Sequence, residues 1–93
     1  MDTISSAERV VKVGSAHGLH ARPAKLFARA AAGTGRVVSL SKEGGTAVNA
    51  ASILSVIGLR AACGDSITLT VTGEDPEQIA DELAAILAAD HDE

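Results

Sequence analysis

The sequence predicts an α+β fold: an open-faced β-sandwich in the order βαββαβα, with a four-stranded antiparallel sheet and three helices on one face. Three observations predict it. Short β-branched segments, one alternating strictly between apolar and threonine side chains, read as strands with one face buried and one wet. Between and after them, apolar side chains recur at helical spacing. The chain has 93 residues, too few for two cores that could each repay their conformational entropy. Residues 1–93 therefore read as a single domain, with an ordered core over about 8–89.

The elements follow in order. Residues 9–13, rich in valine and ended by Gly14-Ser15, predict a first strand. Residues 15–19 predict a loop. From Ala21 or Pro23 to Ala32 the chain turns helical, with Ala24, Phe27, Ala28 and Ala31 on one face and Lys25 and Arg29 off it. Gly33 is the expected C-cap. Residues 36–41 predict a second strand, Glu43-Gly44-Gly45 a tight turn, and residues 46–49 a short returning strand. Ser52 is placed to cap a short helix in which Ile53, Val56 and Ile57 share a face. Ile67, Leu69 and Val71 alternate with Thr68, Thr70 and Thr72, the clearest strand in the chain. For the last helix, Asp75 is the expected cap, Pro76 the first helical residue and Gln78 the partner in a capping box. Ile79, Leu83, Ile86 and Leu87 form its expected buried stripe, while Glu77, Asp81 and Glu82 face water.

Composition narrows the function. Hydrophobic residues make up 46% of the chain, much of it alanine, and Phe27 is the one aromatic. The core must then be built from Val, Ile, Leu and Ala. So small a protein cannot enclose both a core and a deep cavity, which favours a surface site. The single cysteine, Cys63, excludes an intrachain disulfide, is consistent with a reducing compartment, and is expected to be a small buried residue. No apolar run approaches the ~18 residues that span a bilayer. The first six residues show no secretory pattern, so a cytoplasmic location without membrane insertion is expected. The net charge is −4, but it is divided unevenly. Arg9, Lys12, Arg22, Lys25, Arg29 and Arg36 lie in the first forty residues, whereas no Lys or Arg follows Arg60. The basic half suits acidic protein surfaces or a phosphoryl group. The acidic half and the lack of stacking aromatics disfavour nucleic acid.

The chemistry gathers in Gly18-Leu19-His20-Ala21-Arg22-Pro23-Ala24. A proline in the first helical turn sacrifices no hydrogen bond, so His20 lies at, or one step before, a helix N-terminus. The helix N-terminus formed by Ala21, Pro23 and Ala24, with its unpaired backbone N–H groups and the positive end of the helix dipole, is expected to support an anion there. Arg22 adds a charge-assisted donor with a planar fork suited to phosphate oxygens. The same field disfavours a cationic ring and leaves an imidazole lone pair available to accept a phosphoryl group. By itself, a histidine near a helix start also reads as a surface or capping residue.

The segment 18–24 resembles the active-site motif of HPr, the histidine-containing phosphocarrier of the phosphoenolpyruvate-dependent sugar phosphotransferase system. It matches residue for residue the core Gly-(Leu/Ile)-His-x-Arg-Pro-Ala. Chain length, element order and the early position of the histidine agree, and Val48-Asn49-Ala50-Ala51-Ser52-Ile53-Leu54 resembles the family's regulatory region. The resemblance covers about residues 9–89 and implies a carrier, not an enzyme. In it, His20 takes a phosphoryl group on Nδ1 from phosphorylated enzyme I and passes it to a sugar-specific enzyme IIA domain. Arg22 neutralises phosphoryl charge in both transfers, and no cofactor or metal is required. The expected docking contacts are Leu19, Lys25, Phe27, Arg29, Ile53 and Val56, with the exposed part of residues 52–57; for Phe27 the place on the apolar stripe favours core packing instead. A monomer is expected.

Ser52 matches the family's regulatory serine, phosphorylated in some bacteria by an HPr kinase, though Ala51 stands where the family often has a basic residue. N-capping alone is the other reading of Ser52. His17 and His20 at i, i+3 could suggest a metal, but a third ligand is not evident and His91 lies in a tail. Three rivals stay open: a nitrogen-related phosphorelay paralogue, a regulatory binding module without phosphotransfer, and a hydrolase using His20, for which no nucleophile–base pair is visible.

Overall fold

The alternation of residues 67–72 organises the sheet. In the computed structural model, which describes residues 5–89, these residues form the central strand. The elements are β1 (Ser6–Lys12), α1 (Ala21–Gly33), β2 (Val37–Lys42), β3 (Val48–Asn49), α2 (Ile53–Gly58), β4 (Ser66–Thr72) and α3 (Pro76–Ala88). The expected βαββαβα order holds. The sheet order is β1-β4-β2-β3 and every pairing is antiparallel.

Register then puts apolar against apolar on one face. Val71 lies opposite Ala7 and Val38, Leu69 opposite Leu40, and Ile67 opposite Val11. All of these are buried. The three helices cover this face; α1 contributes Pro23, Ala24, Phe27, Ala28 and Ala31 to the core. The other face is open, so Val10 and Val37 are about 70% exposed there (70% and 73%) beside a field of threonines and serines. Because strand side chains alternate with period two, the same strands carry both faces.

Several boundaries and caps differ from expectation. β1 starts at Ser6 and ends at Lys12, leaving Val13 buried in the following loop. Gly33 is the last helical residue, and Thr34 is the C-cap, its hydroxyl donating to the Ala31 carbonyl at 2.7 Å. The left-handed turn falls to Gly35, at φ +70°. β3 shrinks to two residues, Val48 opposite Leu40 and Asn49 opposite Ser39, and the Ala50 N–H adds one bond to the Val38 carbonyl at 2.9 Å.

The capping box of α3 does not form. Asp75 is the N-cap but sits in the left-handed region at φ 48°, and its carboxylate makes no cap bond. Side-chain capping needs an extended cap residue aimed at the first-turn amides, and this backbone turns the carboxylate away. The buried stripe of α3 is Ala80, Leu83 and Leu87, with Ile79 and Ile86 half-buried at its margins. Arg9 Nε meets Asp81 at 2.9 Å across the outside of this packing. Such exposed pairs contribute little to stability.

Candidate functional site

Between β1 and α1 the chain runs along a shelf made by residues 60–65. The Val13 N–H donates to the Asp65 carbonyl at 3.0 Å, and the Gly64 N–H returns to Val13 at 2.9 Å. The Gly18 N–H closes a turn onto Ser15, and the Leu19 N–H reaches the Ala61 carbonyl, each at 2.9 Å. Gly18 is buried at φ +75°, and a Cβ there would collide with the Ala61 carbonyl oxygen. Only glycine satisfies both conditions. Leu19, 4% exposed, is driven into the core and so sets the direction of the next residue.

His20 emerges from this turn as the N-cap of α1, half-buried, with extended backbone at φ −81°, ψ −170°. Its side chain makes no capping bond to the helix. Its carbonyl accepts the Ala24 N–H at 3.0 Å. That bond narrows the expected anion support: the Ala24 amide is already engaged in the helix. The amides of Ala21 and Arg22 precede the first intrahelical bond, where an anion would meet them. Arg22 is exposed, two residues from His20. The His17 ring, also exposed, stands edge-on to the His20 ring, with centroids 6.0 Å apart and planes at 71°. Among the described residues no three His, Cys, Asp or Glu side chains gather into a metal-binding group; His91 lies outside them.

The shelf has its own electrostatics. Asp65 accepts the Ala62 N–H at 2.8 Å and pairs with Lys42 at 3.3 Å. The Ala62 amide, then Lys42, holds its carboxyl below the ordinary 3.8. Lys42 also donates to the Arg60 carbonyl at 3.2 Å. Cys63 on this loop is exposed, contrary to expectation. On this loop Ala61 turns into the core, while Ala62, Cys63 and Gly64 face outward.

The docking residues divide sharply. Lys25 and Arg29 are exposed, and Ile53 is 37% exposed. Leu19, Phe27 and Val56 are buried and offer no surface; they pack the core, which settles Phe27 as core. Within α2, Val56 is buried and Ile57 half-buried, but Ile53 at its first turn points away from that stripe. Sequence reasoning missed Leu26 and passed over Leu54, 45% and 81% exposed. Leu26 lies off the apolar stripe of α1, the signal that could have found it. Ser52 does cap α2: its hydroxyl accepts the Ser55 N–H at 3.3 Å. A groove of about 490 Å³ lined by Ala30, Thr34, Ile79 and Ile86 lies at the far end of α1. It stands roughly 20 Å from His20 by helix length.

Fold and site together define a small carrier domain with a histidine presented at its surface. Comparison with known proteins narrows the class. Residues 7–89 match the PTS HPr component phosphorylation site family. The phosphocarrier protein HPr of Streptomyces coelicolor is 50% identical over 82 residues, covering 88% of each chain. The HPr-like protein Crh of Bacillus subtilis is 38% identical over 78 residues, covering 84% of this chain and 91% of its own. The crystal structure of HPr from Bacillus anthracis superposes with a TM-score of 0.83 at 35% identity, over 89% of this chain and 98% of that one. The chain belongs to the HPr family of phosphocarrier proteins, as the motif at residues 18–24 led one to expect. Among the described residues no helix is long and apolar enough to cross a membrane.

Proposed function

We propose that this protein carries a phosphoryl group on His20 from phosphorylated enzyme I to sugar-specific enzyme IIA domains, acting as a cytoplasmic monomer. The observation that carries this reading is the placement of His20: half-buried on the N-cap of α1, on a loop pinned by backbone bonds, with no capping duty. In the first transfer the His20 Nδ1 lone pair attacks phosphorus as the bond from phosphorus to the donor histidine nitrogen breaks. The donor nitrogen recovers the electron pair. The second transfer repeats this with His20 as the leaving group. Alignment and charge stabilisation supply the catalysis. Arg22 and the amides of Ala21 and Arg22 stabilise the phosphoryl oxygens.

Docking rests on Lys25 and Arg29 for acidic partner surfaces. Ile53, Leu54 and Leu26 supply exposed apolar contact from two helices that pack together. Ser52 is the candidate for regulatory phosphorylation by an HPr kinase. A phosphate there would add about two negative charges beside a surface meant for acidic partners. A nitrogen-related relay would use the same His20 and differ only in its partners.

Incubation with enzyme I and phosphoenolpyruvate tests the reading. We expect one acid-labile, base-stable phosphate, lost in His20→Ala and formed more slowly in Arg22→Ala. Equal labelling of His20→Ala would overturn the assignment.

A further inference from the structure

We propose that His17 is a second binding residue for the phosphoryl group on His20, and makes the phosphorylated form more favourable below neutral pH than above it. This rests on the carrier reading above. The two rings stand edge-on at 6.0 Å between centroids. A phosphoryl group extends a few ångströms beyond the nitrogen that bears it, so one carried on His20 comes within reach of a ring whose centroid lies 6.0 Å away. The turn between the rings is constrained: Gly18 is left-handed and walled in by Ala61, and the Gly18 and Leu19 amides are both engaged. The backbone that separates the two residues is thus fixed. It is also exposed, so it can gain a proton without disturbing the core.

Histidine changes charge between about pH 5 and 8, and its cationic form would face a phosphoryl group carrying about two negative charges. Besides the bearing ring of His20, the charged or titratable groups on the elements around this turn are Glu8, Arg9 and Lys12 on β1, Arg22, Lys25 and Arg29 on α1, and Arg60, Cys63 and Asp65 on the shelf; the lysines keep their charge across this range, and Glu8 stays anionic. Asp65 is already committed to Lys42 and the Ala62 amide. Arg22 and Arg60 keep their charge across this range. His17 is therefore the group whose protonation brings a new positive charge to the bearing ring.

The test is competition in one reaction, which cancels any effect of pH on the donor. Wild-type protein competes with His17→Asn, and separately with His17→Lys, for phosphoryl groups from enzyme I and phosphoenolpyruvate, followed by mass spectrometry. Wild type should exceed His17→Asn in occupancy roughly threefold to tenfold near pH 5.5, a modest ratio as befits an exposed pair, and match it near pH 8.5. His17→Lys should hold high occupancy at both. Equal occupancy at every pH overturns the proposal, and so does a deficit of His17→Asn that does not change with pH, the mark of a merely structural role. If wild-type His20 takes no label at all, the carrier reading fails first, and the two failures are told apart.

Discussion

The N-termini of α1 and α2 face the same physical problem and solve it differently. Each helix begins with amides that have no partner within the helix. At α2 the chain supplies its own acceptor: Ser52, extended at φ −99°, takes the Ser55 N–H on its hydroxyl. At α1 the cap residue is equally extended, but it is His20, and it makes no cap bond. The third residue after the cap explains part of the contrast. In α2 it is Ser55, which has an N–H to give; in α1 it is Pro23, which has none. The α2 end is closed by its own serine, whereas the cap side chain at α1 makes no such bond. Under the proposed function, capping and carrying are alternative uses of one position.

The largest expected effect breaks the α1 side alone. Gly18→Ala forces a Cβ into a left-handed residue and against the Ala61 carbonyl, and should cost roughly 2–4 kcal/mol. Urea unfolding would show it, and a midpoint unchanged from wild type would mean that the loop before His20 is far looser than its bonds suggest. A smaller effect sharpens the contrast. Ser52→Ala should lose about 1 kcal/mol and leave His20 labelling intact. The reciprocal His20→Ser should lose all labelling while stability moves by less than about 0.5 kcal/mol, because Pro23 removes the third-residue N–H and leaves only that of Arg22 for a cap to reach. A large gain in stability for His20→Ser would show that the two ends do not differ as described.

The smallest effect lies in the shelf below α1. The folded carboxyl of Asp65 titrates below its ordinary value, so its stabilising contribution is present above pH 3.8 and fades as pH falls through the lowered value. Carbon-detected NMR titration should place Asp65 below the other carboxylates, and Asp65→Asn should remove that part of the acid dependence without touching Ser52. An Asp65 that titrates with exposed aspartates would sever the shelf from the account.

Much of this molecule was legible from local pattern. Thr68, Thr70 and Thr72 between Ile67, Leu69 and Val71 announced a half-buried strand, and Gly18 to Ala24 announced a helix start bearing a histidine. Failures came where a neighbour decides. Asp75 and Gln78 spell a capping box, yet the chain enters α3 left-handed and the box is not made. Val56 and Phe27 carry surface-compatible side chains in a plausible docking segment, yet each faces the core. Leu54, in that same segment, is the residue left outside.

By itself, the order of residues determined the elements, the core they share, and the motif that places a histidine at the start of a helix, because periodicity and turn-forming glycine and proline act over a few neighbouring positions. Tertiary structure alone decided which amides at α1 are already taken, which apolar side chains look outward, and that His17 comes to stand beside His20. The turn that carries His17 and His20 rests on the 60–65 shelf, some forty residues away along the chain, through the bonds of Val13, Leu19 and Gly64.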